Sequence, residues 1–347
     1  MNDAAGVVTA TSLAQRAAWR RREAPAVEQV RPGVWAIPVP VPNPIRFTYA
    51  YLVRGARESV LIDPGADTDT AWAALTNAFA AIGFDTANLT GIVVTHFHFD
   101  HWEMADRLAA ATGAWIALSR TERDWIAGMT AADLSHETAY ERFRHWGAPE
   151  AEATALAGSE DYAETLRYTV PTLLLEHDQR LPIAGTDLKV LLTPGHSPGH
   201  LCLVDTERNL LFAGDHVLPG ITPHVALNPF GSEDPLGEYL ESLNLLLPHH
   251  GAEVLPAHEY RFVGVAARVR ELRRAVDDRL DELHGLVAEN PTASVWDLAH
   301  ALTWSRGWDG LNTLGRRMAM GETAAHLNHL ARGYPLPTAQ QARASLP

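Results

Sequence analysis

The chain has 347 residues, 46% apolar and 20% charged, with a single cysteine, Cys202. This is the make-up of a packed globular protein of one or two domains, and it excludes a disordered chain, a disulfide scaffold and a cysteine-rich metal site. The formal charge of −14, from 28 basic and 42 acidic residues, disfavours nucleic acid as a partner but leaves it open, because phosphate contacts need clustered Lys and Arg.

The first residues lack the basic and apolar regions of a secretory leader, and residues 14–23 predict a short amphipathic helix with a solvated basic end. Residues 1–27 are expected to be an N-terminal extension. Between 28 and 63, short apolar runs split by Pro and Asn predict strands at 34–39, 50–53 and 59–63, the last ending in the turn Pro64-Gly65. Ala71, Trp72, Leu75, Ala78 and Phe79 lie at helical spacing, with Gly83 as the stop. A β-branched strand at 91–95, a helix at 103–111 and a strand at 114–118 continue an α/β alternation. Residues of about 120–170 turn polar, Ala-rich and helical, and are expected as an insertion in a core domain spanning 28–262.

A second β-rich block runs from about 173 to 256, with strands at 189–192, 201–204 and 210–213. After 260 the pattern is helical, at 265–286, 292–301 and 322–330, with turns expected at Gly307, Gly310, Gly315 and Gly321. Residues 263–347 are therefore expected to form a small C-terminal helical domain. No window holds the run of about 20 apolar residues that a membrane span needs.

Four residues carrying metal-binding side chains fall within six positions directly after a strand: His96, His98, Asp100 and His101. A loop there converges ligands because its backbone follows no single periodicity. Zinc takes imidazole nitrogen and carboxylate oxygen, usually four ligands per ion, so this cluster is too small for two ions and predicts more ligands downstream. Three further candidates follow strands: His196 in Thr193-Pro194-Gly195-His196-Ser197-Pro198-Gly199-His200, Asp215 in Gly214-Asp215-His216, and His258 after Leu255-Pro256-Ala257.

The order HxHxDH, PGHxxGH, GD and a late His is similar to the metallo-β-lactamase superfamily. The resemblance implies a four-layer αβ/βα sandwich and two zinc ions, one on His96, His98 and His196, the other on Asp100, His101 and His258, with Asp215 bridging. Mn, Fe and Co are alternative metals, since such ligand sets do not select zinc alone. Asp63 matches the family's strand-end acid and is expected to orient a ligand imidazole, with His200 and His216 in supporting positions. His224, after the Asp215 strand, is expected to line a substrate pocket. His326 and His329 are read as surface or packing residues.

The expected chemistry is hydrolysis by a metal-bridging hydroxide, with Asp100 and Asp215 as the catalytic carboxylates. Asp215 points away from true β-lactamases, which generally lack an acid there, and towards lactonases, glyoxalase II-type thioesterases and phosphodiesterases. A small-molecule ester, thioester or lactone is the expected substrate, with single-stranded RNA cleaved by an endoribonuclease or phosphodiesterase activity as the alternative. A third reading makes the tail a binding module and the metal purely structural. The segments 214–223 and 321–327 resemble a subgroup carrying a C-terminal winged-helix-like domain, and a helical lid or dimerisation element is the other reading of that tail. A cytoplasmic protein without membrane contact is expected, and a homodimer is left open.

Overall fold

The computed structural model describes residues 6–42, 45–130, 132–133, 135–158, 170–227 and 231–333. The chain divides into two compact units. The first is Met1–Gly128, Arg167–Pro223 and Glu241–Arg270, and the second is Met129–Leu166, His224–Leu240 and Glu271–Pro347.

The first unit is built on two mixed sheets. One is formed, among the described residues, by β2 (Glu28–Arg31), β3 (Val34–Pro40), β4 (Phe47–Arg54), β5 (Ser59–Ile62), β6 (Gly91–Val93), β7 (Trp115–Ser119) and β8 (Leu173–Leu175), in that spatial order. Pairing is antiparallel from β2 to β5 and parallel from β5 to β8. The switch follows from the connections. Short links join the antiparallel strands, whereas α2 (Asp69–Ala81) and α4 (Met104–Thr112) supply the long crossovers that parallel pairing demands.

The other sheet has the order β1 (Thr9–Ala10), β13 (Phe262–Val263), β12 (Glu253–Pro256), β11 (Leu210–Gly214), β10 (Leu201–Asp205) and β9 (Leu188–Leu192). One apolar core joins the two sheets, with Val34, Tyr49, Tyr51 and Ile62 from the first and Val190, Leu203, Phe212 and Leu255 from the second. Tyr51 and Phe212 meet edge to face across it at 5.5 Å. Strands β5, β10 and β11 are buried along their whole length, which is why they read as unbroken apolar runs rather than alternating ones. Cys202 on β10 is buried and free, as its apolar neighbours suggest.

The segment read as an N-terminal extension is stitched to this second sheet. Strand β1 pairs with β13, Thr11 N donates to Arg261 O at 2.9 Å, and Arg261 N donates to the Gln15 side chain at 3.0 Å. The short helix α1 (Leu13–Arg21) starts there on a Ser12 cap. Arg261 also pairs with Glu28 and Glu253, so the buried guanidinium is neutralised.

The second unit is helical among the described residues. α6 (His136–His145), α7 (Glu150–Ala157), α10 (Val295–Ala301) and α11 (Thr313–Ala331) pack around Phe143, Leu156, Trp308 and Met320. The 25-residue helix α9 (Val265–Glu289) leads into this unit, and no strand follows β13 among the described residues. Gly315 and Gly321, expected in turns, instead lie inside α11. Gly315 N donates to the Asn312 cap, and a Cβ on Gly321 would stand 3.0 Å from that of Ala226, so close packing rather than a turn explains the second glycine. His326 and His329 are buried packing residues, His329 Nδ1 lying 2.9 Å from both oxygens of Asp234. No helix among the described residues is long and apolar enough to cross a membrane.

Candidate metal centre

Four strand ends deliver the seven candidate ligands. β6 runs into the loop carrying His96 and His98 and then into the single-turn α3 (Phe99–Trp102), which carries Asp100 and His101. β9 runs into the His196 loop, β11 into Asp215, and β12 into His258. Because β6 lies in one sheet and the other three strands in the second, the ligands converge at one edge of the shared core.

They form two groups. In the first, His96, His98, His196 and Asp215 bring their donor atoms within 4.8 Å of one another, and in the second Asp100, His101 and His258 do the same. His96 Nε2, His98 Nδ1 and His196 Nε2 make a triangle with sides of 2.9, 3.0 and 3.2 Å. Each imidazole nitrogen is either a donor or an acceptor, so a triangle of three always sets two like atoms together. A cation at its centre removes that conflict, and tetrahedral zinc with bonds of about 2.0–2.1 Å places its ligands about 3.3 Å apart.

In the second group His258 Nε2 is 3.5 Å from Asp100 Oδ2, and His101 Nε2 is 3.7 Å from the same oxygen. Asp215 reaches both groups. Its Oδ2 lies 3.6 Å from His196 Nε2 and 3.5 Å from His101 Nε2, and its Oδ1 lies 3.2 Å from His258 Nε2. His101 Nε2, His258 Nε2 and Asp215 Oδ1 are buried without a well-formed hydrogen bond, which is costly unless a cation binds them. The donor chemistry therefore fits two divalent ions.

Hydrogen bonds behind the ligands decide which nitrogen faces inward. Asp63 Oδ2 lies 2.9 Å from His101 Nδ1 and accepts the Thr95 hydroxyl at 2.8 Å, while Oδ1 accepts Thr95 N at 2.8 Å. A carboxylate only accepts, so Nδ1 of His101 carries a proton and Nε2 faces the site, where it offers a lone pair once its own proton is displaced. Thr95, having given its proton to Asp63, accepts from His96 Nδ1 at 3.0 Å, which frees His96 Nε2 in the same way. Thr48 on β4 donates to Asp100 Oδ2 at 2.9 Å. Asp63 holds φ +52°, the left-handed region unusual for a side-chain-bearing residue, and so turns its carboxylate back beneath the β6 loop.

The electrostatics of the groups differ. Burial, reinforced by His101 and the other imidazoles, holds His96 well below its ordinary pKa, so its imidazole is neutral. Burial also opposes charge on His101 and His258, but the carboxylates of Asp100 and Asp215 outweigh it and raise both. The second group thus calls for positive charge, which protons or a metal can supply.

His200 and His216 lie behind Asp215. His200 Nε2 accepts the Asp215 backbone N–H at 3.2 Å, and its Nδ1 lies 2.8 Å from Thr193 Oγ1. Burial keeps both imidazoles neutral, driving His216 down to about 3. Gly214 makes this arrangement possible. It adopts φ +48°, and a Cβ there would sit 2.6 Å from His200 Nε2. His224 is not among the gathered residues. It belongs to the second unit, where its Nδ1 is 4.0 Å from Glu322 Oε2.

Two buried glutamates escaped the sequence reading. Glu122, in α5 (Arg120–Gly128), accepts Phe97 N at 3.0 Å and Gly199 N at 2.5 Å. Burial outweighs those hydrogen bonds and pushes its carboxyl up to about 7. Glu259, next to His258, accepts Gly220 N at 2.6 Å and Ile221 N at 3.1 Å. The Ser119-x-x-Glu122 spacing after a strand matches a helix capping box, which signals a helix start and not a part of the site. Its glutamate, however, is spent on the loops rather than on the helix end.

A family profile described as the Metallo-beta-lactamase superfamily matches residues 43–258, more than half of the chain and every candidate ligand. The chain belongs to the metallo-β-lactamase superfamily. A crystal structure of a metallo-β-lactamase family protein from Thermus thermophilus superposes with a TM-score of 0.73 at 28% identity, covering 88% of this chain and 95% of that one. The "Lactamase-like protein adaB" of Aspergillus niger is 24% identical over 261 residues, 75% of this chain but 65% of that protein, so the chain spans less than two thirds of that relative's length. The "Atrochrysone carboxyl ACP thioesterase" of Emericella nidulans is 32% identical over 95 residues, 27% of this chain and 28% of the relative.

Proposed function

We propose that this metallo-β-lactamase superfamily protein holds two divalent ions, zinc by preference, and hydrolyses a thioester, ester or lactone of a small molecule. The supporting observation is the position of Asp215, whose two oxygens face His196 and His101 on one side and His258 on the other. One ion would be held by His96, His98 and His196, the other by Asp100, His101 and His258, with Asp215 shared. Two bound cations would supply a Lewis-acid centre that acidifies water and polarises a carbonyl.

The chain's own residues do the rest. Asp63 and Thr95 fix the tautomers of His101 and His96, so no reorganisation is needed when a substrate arrives. Thr48 keeps Asp100 Oδ2 turned inward, and His200 holds the backbone that presents Asp215. Among acyl substrates the thioester is favoured by the name of the Emericella nidulans relative.

The test is a hydrolysis panel of acyl thioesters, simple esters, lactones, β-lactams and single-stranded RNA, run on the metal-loaded protein. Turnover of a thioester, ester or lactone without turnover of β-lactams or RNA is expected. Cleavage of RNA alone would replace this reading with that of a nuclease.

A further inference from the structure

We infer that Glu122 is a positioning residue that locks the two loops of the His96–His98–His196 group into one register, a role resting on the two-ion reading above. The two loops come from different sheets, following β6 and β9; a backbone bond from Leu201 N to Thr95 O at 3.0 Å ties their ends, but Phe97 and Gly199, beside the ligands, bond instead to Glu122. Glu122 spans that gap. Its Oε1 takes the N–H of Phe97, the residue between His96 and His98, and its Oε2 takes the N–H of Gly199, three residues after His196. Ser119, one turn earlier, completes the bracket by donating to Gly199 O at 2.6 Å and accepting Glu122 N at 3.0 Å.

The bracket is tight. A Cβ on Gly199 would lie 2.2 Å from Glu122 N and 2.4 Å from Ser119 Oγ, so glycine there is imposed by the start of α5 and not by the metal. Glu122 is fully buried, with 0% of its surface exposed, and both oxygens are engaged by backbone donors. A buried carboxylate is expensive to maintain unless its geometry is used. It is not itself one of the grouped ligands. The second group, on Asp100, His101 and His258, receives no bond from Glu122 and is oriented instead by Thr48, Asp63 and the Phe47 carbonyl.

This asymmetry makes the inference testable. Glu122→Gln keeps size and one acceptor but aims an amide N–H₂ at one of the two backbone donors, releasing one loop. Metal-free wild type and variant are titrated with Co²⁺ and the visible absorption of each bound ion is followed. Wild type is expected to take two ions. The variant is expected to bind one ion about 10–100-fold more weakly, with an altered spectrum, while the other ion's affinity and spectrum stay unchanged. A purely structural role would weaken both sites together. Glu122→Asp, which retains the charge but falls short of both loops, is the second variant, and the same selective loss is expected if the Gln variant does not fold. A folded variant with two ions bound at wild-type affinity and spectrum overturns the role of Glu122 and leaves the two-ion reading standing. Wild type that binds no ion overturns both.

Discussion

Asp63 Oδ2 stands 2.9 Å from His101 Nδ1, and this contact between a strand-end acid and a buried imidazole sets the direction in which the second ligand group points. The Thr95 hydroxyl, bonded to the same oxygen, extends that control to His96 and hence to the first group.

Replacing Asp63 with Asn tests this control without disturbing the backbone, since Asn tolerates the left-handed conformation found at φ +52°. The amide keeps one acceptor oxygen but turns an N–H₂ either on Thr95 N or on the Thr95 hydroxyl and His101 Nδ1, so the contacts on one side are lost and the negative charge is removed. Metal affinity is expected to fall about 10–100-fold, measured by competition with a chromophoric chelator. An unchanged affinity would show that the ligands are held by packing alone.

Thr95→Val keeps the shape and removes the hydroxyl. It leaves an Asp63 oxygen with one donor fewer and His96 Nδ1 without its acceptor, in a fully buried setting. The expected loss of stability is about 1–3 kcal/mol for the stranded polar groups. Urea unfolding of the metal-free protein reads it directly, and a change below about 0.5 kcal/mol would contradict the assigned hydrogen-bond directions.

Gly214→Ala is expected to be worse than its size suggests. The added Cβ meets His200 Nε2 at 2.6 Å and Thr95 Oγ1 at 2.9 Å, at a φ of +48° that alanine rarely adopts. Displacement of Asp215 is expected together with destabilisation of more than about 1 kcal/mol. Thermal melts with and without added metal would separate the two effects, because loss of metal stabilisation reports on Asp215.

Much of this site was legible beforehand because each ligand follows a strand in a glycine- or proline-bearing turn, so residue type and local pattern agree. Asp63 was singled out by the resemblance, and His200 and His216 because the ligand count was already complete without them; Asp63 lies against His101 and His200 against the Asp215 backbone. Glu122 was not legible as part of the site: a glutamate in the first turn of a polar helix looks like any other, and its partners lie 25 and 77 residues away. Gly315 and Gly321 misled for the opposite reason. Glycine marks turns by default, and only the tertiary contact with Ala226 shows why a helix keeps Gly321.

Acid stability provides a test away from the metal ligands. Burial holds His326 down at about 4, with its Nδ1 on the Glu322 carbonyl at 2.8 Å. The unfolded chain takes a proton near 6.5 and the folded one does not, so the stability that neutral His326 supports is present above pH 6.5 and is lost as pH falls towards 4. His326→Gln should flatten this dependence by up to about 1.4 kcal/mol per pH unit across that window. A variant with the wild-type acid profile would show that His326 ionises freely in the folded state.

The most direct test of the central claim is the number of divalent ions bound per chain at saturation, measured on wild type and on Asp215→Ala. The two donor groups joined by Asp215 predict two ions in wild type and fewer, or more weakly held, ions in the variant. A wild-type chain that saturates with one ion or none, or a variant indistinguishable from it, would contradict the account.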